Sequence, residues 1–88
     1  MDAQTVNEKI RRFLSESFMI DFDRVAADAD LFEAKYLDSF GFVDLVTFLE
    51  QTFAIKLTET DLAEPAMGSL AGMGCLVLRH IAERGAAA

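Results

Sequence analysis

Apolar residues recur at intervals of three and four positions in three segments of the chain, and this spacing limits the fold more than any other feature. Such spacing places the apolar side chains on one face of an α-helix, which must then be buried against other elements. The three stripes are Val6, Ile10, Phe13, Leu14 and Phe18; Phe42, Val43, Val46, Leu49 and Phe53; and Leu70, Met73, Val77 and Ile81. We predict a first helix from about Thr5 to Phe18, a central second helix, and a final helix that Ser69 caps and Gly85 follows.

The residues between these helices predict one long loop and one short helix. About twenty residues, 19–38, join the first two helices, and an unstructured loop of that length is unusual in a small domain. We therefore expect this loop to pack on the core through its apolar residues, which are Ile20, Phe22, Val25, Leu31, Phe32, Tyr36 and Leu37. Thr58 to Leu62 offers capping residues and one apolar anchor, which favours a short helical turn before Pro65. The predicted fold is all-α: a small antiparallel bundle of three main helices plus one short helix, with a long loop between helices 1 and 2.

The length and composition of the chain fit one small domain. Its 88 residues, 52% hydrophobic and 26% charged, suffice for a single core with a solvated surface. We expect one domain over residues 1–88, with a folded core at about 4–84 and a frayed, alanine-rich tail at 85–88. No apolar run approaches the roughly 20 residues that span a bilayer, and the N-terminus lacks the signature of a secretory signal. We expect a cytoplasmic protein with no stable membrane insertion, monomeric because one core uses its apolar stripes.

Charge is distributed unevenly along the chain. The formal net charge is −7, and residues 38–64 alone hold six acids against Lys56, a net charge of −5. A nucleic-acid binder needs cations to replace the counterions of the phosphates, so this pattern disfavours nucleic acid as a partner. A strongly acidic central segment suits docking to basic protein surfaces, although acids also serve simply to keep a small protein soluble.

The sequence offers no catalytic group that we would assign. His80 is the only histidine and Cys75 the only cysteine, so a zinc site or a thiolate–imidazole site would have to recruit unlikely ligands. We expect His80 at the rim of the bundle near the end of the last helix, and Cys75 as a small buried side chain. A hydrolase that uses Ser39 as nucleophile is a distant alternative, since no G-x-S-x-G motif surrounds this serine.

Two pairs of acids, Asp21 with Asp23 and Asp28 with Asp30, resemble the start of a calcium loop. An EF-hand needs glycine at its sixth position and glutamate at its twelfth. Neither register provides them, because the twelfth position falls on Phe32 or on Ser39. We therefore predict no metal site and interpret these acids as capping or solvated loop residues.

One polar pair stands where the long loop meets the most apolar helix. Asp38 or Ser39 is expected to cap that helix, because a side-chain oxygen there satisfies an unpaired backbone N–H group. A serine in this position is exposed, and a phosphate ester on it would meet the positive end of the helix dipole.

With these residues the chain resembles the acyl carrier protein family, the phosphopantetheine-binding domains, over roughly Val6 to Ile81. The resemblance includes Asp30-Leu31-Phe32-Glu33 in the loop, Leu37-Asp38-Ser39, then Val43-Asp44-Leu45-Val46 and Leu49-Glu50-Gln51-Thr52-Phe53-Ala54-Ile55. Leu37-Asp38-Ser39-Phe40-Gly41 is closest to the signature of D-alanyl carrier proteins and related standalone carriers.

The resemblance implies that a separate phosphopantetheinyl transferase esterifies Ser39 with 4′-phosphopantetheine, and that Asp38 orients this transferase beside the phosphate. An ATP-dependent acyl or aminoacyl ligase would load the arm, and acyl-transferring enzymes would then receive the cargo. Phe40, Val43, Asp44 and Glu50 would dock these partners. Core packing is an alternative for the two apolar residues, and a solvated helix face for the two acids.

Three functional hypotheses follow for a chain that would itself be non-catalytic. The first is a standalone acyl or aminoacyl carrier in the style of the D-alanyl carriers. The alternative within the class is a carrier for fatty-acid or polyketide-type biosynthesis. The alternative from another class is an unmodified acidic domain that binds a basic protein partner.

Overall fold

The computed structural model describes residues 2–87, with side-chain placements for residues 2–83. Its elements are α1 (Ala3–Phe18), α2 (Ser39–Phe53), α3 (Glu59–Ala63), a 3₁₀ turn (Pro65–Gly68) and α4 (Leu70–Ala87). The described residues contain no β-strand. The predicted all-α bundle, with three main helices, a short helix and a long first loop, is confirmed.

Side-chain caps fix where the helices begin. Asp2 Oδ1 accepts a hydrogen bond from the backbone N–H of Thr5 at 2.8 Å, so α1 begins two residues before the predicted Thr5. Ser69 Oγ accepts from the N–H of Gly72 at 3.0 Å, which confirms Ser69 as the cap of α4. At the other end of α1, Met19 adopts a left-handed conformation (φ 59°) and stops the helix.

The core lies between α1, α2, α4 and the long loop. Its fully buried apolar side chains include Val6, Ile10, Leu14, Leu31, Leu45, Leu49, Met73 and Val77. Phe53 at the end of α2 is also buried, as are Ile55 and Leu57, which follow the helix without forming a strand. Each predicted apolar stripe therefore contributes side chains to one shared core.

Backbone hydrogen bonds join the long loop to the end of the 3₁₀ turn and to the start of α4. The N–H of Leu31 donates to the carbonyl of Gly68 at 2.7 Å, and the N–H of Ala71 donates to the carbonyl of Ala27 at 2.8 Å. Three loop side chains are buried as expected: Ile20, Leu31 and Leu37. The loop consequently holds a defined path up to the first residue of α2.

The prediction that Phe32 and Tyr36 pack in the core was wrong, because they are 40% and 38% exposed. The N–H groups of Tyr36 and Leu37 both donate to the carbonyl of Leu31. This tight turn directs Leu31 and Leu37 inward and leaves the intervening side chains at the surface. Phe32 still contacts Phe42, with ring centroids 5.4 Å apart.

Two expectations for α4 were also wrong. Cys75 is exposed, since it lies two positions, about 200° around a helix, from the buried Met73. The helix does not end before Gly85 but continues to Ala87, because alanine is the strongest helix former and offsets one glycine. Of the tail expected to fray at 85–88, the backbone of 85–87 is helical, and Ala88 lies outside the described residues.

Candidate functional site

Asp38, and not Ser39, caps α2. Its backbone is extended, and its Oδ1 atom accepts a hydrogen bond from the N–H of Gly41 at 2.8 Å. Its carbonyl accepts from the N–H of Phe42 at 2.9 Å, which closes the first turn. Of the two capping residues that the sequence left open, the structure selects the first.

Ser39 is the first residue of α2 and is exposed to solvent. Within the part of the chain that the structure describes, its hydroxyl makes no hydrogen bond. The N–H groups of residues 39 and 40 belong to the first turn and have no acceptor inside the helix. Together with the helix dipole, they favour an anionic group attached to this hydroxyl. The residues present therefore fit a phosphate ester on Ser39.

The turn that carries Ser39 rests on the end of α1. Gly41 is buried, and a Cβ atom on it would lie 2.7 Å from Cε1 of Phe18. Phe18 in turn meets Phe13 edge to face, with ring centroids 5.9 Å apart. The ring of Phe18 thus packs against the buried side of the first turn of α2, and Ser39 lies on the exposed side of that turn.

The four residues expected to dock partners lie in two different environments. Phe40 is 85% exposed and Val43 62% exposed, so neither packs in the core. Asp44 is also exposed. Glu50 is only partly exposed, and its Oε2 atom accepts a hydrogen bond from the N–H of Leu57 at 2.9 Å. Glu50 therefore has a structural contact that the sequence did not suggest.

A polar network that was not predicted from the sequence joins α3 to α4, away from Ser39. Asp61 Oδ2 accepts from the N–H of Thr58 at 2.9 Å and lies 2.8 Å from Nε2 of His80. Its Oδ1 atom lies 3.5 Å from Arg79, which also contacts Glu64 at 3.2 Å. The Thr58 amide hydrogen bond, followed by the contact with His80, lowers the pKa of Asp61.

One sequence signal would have located half of this network. Thr58 and Asp61 stand three positions apart and form a reciprocal capping box at the start of α3. His80 was expected at the rim of the bundle, and its contact with Asp61 was not foreseen. These contacts satisfy the carboxylate of Asp61, the one buried carboxylate among the described side chains.

The described residues hold no cluster of histidine, cysteine, aspartate and glutamate that could bind a metal ion. Asp21 accepts a hydrogen bond from the backbone N–H two residues further on, and Asp30 accepts from the N–H groups two and three residues further on.

None of the helices in the described part of the chain is both long enough and apolar enough to span a membrane.

Comparison with known proteins defines the class to which this fold and this helix start belong. A family model described as a phosphopantetheine attachment site matches residues 8–73, well over half of the chain. The chain belongs to the phosphopantetheine-binding family, as the resemblance predicted.

Named carrier proteins are among its relatives. An acyl carrier protein of Lactobacillus johnsonii is 34% identical over 61 residues, which are 69% of this chain and 76% of the relative. A D-alanyl carrier protein of Streptococcus uberis is 45% identical over 53 residues, 60% of this chain and 66% of the relative. One from Streptococcus pyogenes serotype M1 is 40% identical over 53 residues.

Proposed function

We propose that Ser39 is the attachment site of 4′-phosphopantetheine and that the protein is a standalone acyl or aminoacyl carrier. The observation that carries this proposal is the hydroxyl of Ser39, which is exposed at the first position of α2, directly after the capping Asp38, and makes no hydrogen bond among the described residues. When bound, the group supplies a terminal thiol that holds the cargo as a thioester.

The residues around the hydroxyl have separate tasks in this proposal. Ser39 supplies the ester oxygen, and the amide groups of the first turn stabilise the negative charge of the ester. Asp38 holds that turn in place and presents a carboxylate beside it to the transferase. The chain itself makes no bond in the cargo; it keeps the cargo at high effective concentration for the enzymes that do.

Partner enzymes would bind the chain in turn. We propose a phosphopantetheinyl transferase, an ATP-dependent acyl or aminoacyl ligase, and downstream acyl-transferring enzymes, all acting in the cytoplasm on a monomeric carrier. The surface proposed for docking is the outer side of α2, with Phe40, Val43 and Asp44, and with Glu50 further along the helix. The acidic charge of this part of the chain would speed encounter with basic partners.

The proposed carrier function has two forms, which differ in the cargo that is carried. The D-alanyl carrier proteins among the relatives favour an aminoacyl cargo, and the acyl carrier protein of Lactobacillus johnsonii favours a fatty-acid or polyketide-type pathway. Incubating the modified chain with ATP, D-alanine and a D-alanyl carrier ligase separates the two. A D-alanyl thioester detected by intact mass supports the first form, and the second is left if none forms.

Intact mass spectrometry tests the proposed function. The chain is incubated with coenzyme A and a broad-specificity phosphopantetheinyl transferase. We expect one phosphopantetheine group on the wild-type chain and none on Ser39→Ala, while Ser17→Ala, which removes another exposed serine, remains a substrate. An unmodified wild-type chain would instead favour the unmodified, acidic interaction domain.

A further inference from the structure

An open groove runs between α1 and α2, and its lining comes from these two helices alone. Its volume is about 470 Å³, within the range of small-molecule sites. The rings of Phe13 and Phe48 stack in it, with centroids 4.0 Å apart and planes inclined by 14°, and both residues are partly exposed. The groove therefore presents aromatic surface to solvent.

Two cations border the groove without an anionic partner. Lys9 and Arg12 are exposed and lie three residues apart on α1, and neither forms an ion pair with a carboxylate among the described residues. Arg11, on another side of the same helix, is by contrast paired with Asp23 at 3.4 Å. Unpaired cations beside aromatic rings favour a ligand that has an apolar body and a negatively charged end.

Two acids also line the groove, but they leave one of its ends cationic. Glu8 Oε1 accepts a hydrogen bond from Nε2 of Gln4 at 3.2 Å. Glu16 lies seven residues from Lys9, about 10 Å along the helix. Because the end of α1 packs on the start of α2, Glu16 lies towards the start of α2, and Lys9 lies towards its end, near Thr52.

The groove lies within reach of a group attached to Ser39. Phe48 follows Ser39 by nine residues on the same helix, a rise of about 14 Å. A second depression, which shares Phe13 and Phe48 with the groove, extends towards Ser39 as far as Phe18 and Asp44. A phosphopantetheine arm has about fourteen successive bonds, as many as roughly five residues of extended chain, or about 17 Å. The thiol end of such an arm can therefore lie over Phe48.

We propose that the cargo of the arm lies back in this groove, which selects an acyl group with an apolar body and a carboxylate at its far end. The body covers Phe13 and Phe48, and the carboxylate pairs with Lys9 and Arg12. A monothioester of a dicarboxylic acid has this chemistry, whereas the ammonium group of an aminoacyl cargo is repelled by both cations. The proposal rests on the proposed function, because attachment to Ser39 gives the cargo a local concentration in the millimolar range, at which the weak contacts of an open groove suffice.

The test compares three cargoes of the same chain length, which a broad-specificity transferase loads onto Ser39 from their coenzyme A thioesters. These are carbon-13-labelled hexanoyl, adipoyl and 6-aminohexanoyl groups, whose ends are neutral, negative and positive. NMR measures the upfield shift that the rings of Phe13 and Phe48 impose on the cargo methylene protons, relative to the same thioester on free pantetheine. We expect this shift to be about two- to threefold larger for adipoyl than for hexanoyl, and smallest for 6-aminohexanoyl, because exposed ion pairs add modestly to apolar contact.

Variants of exposed cations separate the contribution of charge from that of the rings. Lys9→Gln and Arg12→Gln should each reduce the adipoyl shift towards that of hexanoyl and leave the hexanoyl shift unchanged. Lys56→Gln is the matched control, since Lys56 is exposed and lies outside the groove, and it should keep the full adipoyl shift. Raising the sodium chloride concentration from about 0.05 to 0.5 M should reduce the difference between adipoyl and hexanoyl, because salt screens exposed charges.

Other results overturn the proposal in distinguishable ways. If Ser39 is modified but no cargo shifts beyond its value on free pantetheine, the groove holds no cargo, while the carrier function stands. Equal shifts for the three cargoes, or the largest shift for 6-aminohexanoyl, overturn the selection of a negative end. Cargo contacts with the buried Leu45 and Leu49 in nuclear Overhauser spectra would place the cargo in the core instead. If the wild-type chain is not modified at all, the proposed function fails and this inference fails with it.

Discussion

The Oδ1 atom of Asp38 accepts a hydrogen bond from the backbone N–H of Gly41 at 2.8 Å, and this bond caps the helix that begins at Ser39. Capping by the preceding residue leaves the serine hydroxyl without a structural task. The same bond also fixes the turn in which any group on that hydroxyl would stand. Asp38 thus caps the helix, and Ser39 stays exposed to solvent.

Removal of this cap should cost stability. We expect Asp38→Ala to lower the free energy of unfolding by about 1 kcal/mol, because the N–H of Gly41 loses its acceptor. Thermal denaturation followed by circular dichroism measures the change. Asp38→Ser is the matched control, since serine caps almost as well and should keep most of the stability. If both variants lose modification by the transferase but only Asp38→Ala loses stability, the carboxylate has a separate role in orienting the enzyme.

Charge reversal at Asp44 and at Glu50, the two acids of α2, should change the stability of the fold by different amounts. Glu50→Lys removes the acceptor of the Leu57 N–H and should destabilise the fold by about 1–2 kcal/mol. Asp44→Lys should change the free energy of unfolding by less than about 0.5 kcal/mol, because Asp44 is exposed and has no hydrogen bond among the described residues. Urea denaturation compares them, and equal stability of the two variants would remove the structural role of Glu50. We expect Asp44→Lys to weaken transferase docking moderately at low salt, with a smaller effect as salt rises.

The pH dependence of stability should report the Asp61 network. Its pKa lies below the ordinary 3.8 in the folded state, mainly through the Thr58 amide, so folding favours the ionised carboxylate. This contribution is fully present above the unfolded pKa and is lost as the pH falls through the lower, folded pKa. We expect Asp61→Asn to be less stable than wild type by about 1 kcal/mol at pH 7, and this difference to shrink towards pH 2.

Urea denaturation at both pH values gives this comparison for Asp61. Asp28→Asn provides the control, because Asp28 is exposed and has no hydrogen bond among the described residues. A difference between wild type and Asp61→Asn that stays constant from pH 7 to pH 2 would contradict the proposed linkage.

Close packing at the start of α4 should make Gly72 intolerant of a side chain. A Cβ atom at this position would collide with the backbone carbonyl of Ala66 in the 3₁₀ turn, which cannot rotate away as a side chain can. In an unhindered helix, replacing glycine with alanine adds about 1 kcal/mol of stability. We expect Gly72→Ala to destabilise the protein by about 1–3 kcal/mol. A lower melting temperature in thermal denaturation would show that the collision outweighs the gain in helix propensity, and a higher one would contradict this account.

The helices were predictable because their signals are local. Apolar spacing gives the buried face of α1 and α4 directly, and Ser69 stands three residues before the amide that it caps. In α2 the predicted stripe was right for Leu49 and Phe53 but wrong for Val43, which is 62% exposed, while Leu45 is fully buried. The environment of Ser39 was also predictable from a local signal, since position at a helix start determines both its exposure and the nearby amide groups.

Contacts between distant residues were not predictable from the same signals. The partner of Glu50 is a loop amide, and His80 meets an aspartate 19 positions earlier in the chain. Phe32 and Tyr36 are large aromatic residues of the kind often found in a core. The turn around the Leu31 carbonyl nevertheless leaves their side chains at the surface. Each of these depends on tertiary packing, which overrides residue type.

Tandem mass spectrometry of the modified chain tests the carrier proposal most directly, because it locates the phosphopantetheine group on a residue. After treatment with transferase and coenzyme A, the proposal predicts the group on the peptide that contains Ser39 and on no peptide that contains Ser15, Ser17 or Ser69. The group on another serine, or its presence on the Ser39→Ala chain, would contradict the assignment of Ser39 as the attachment site.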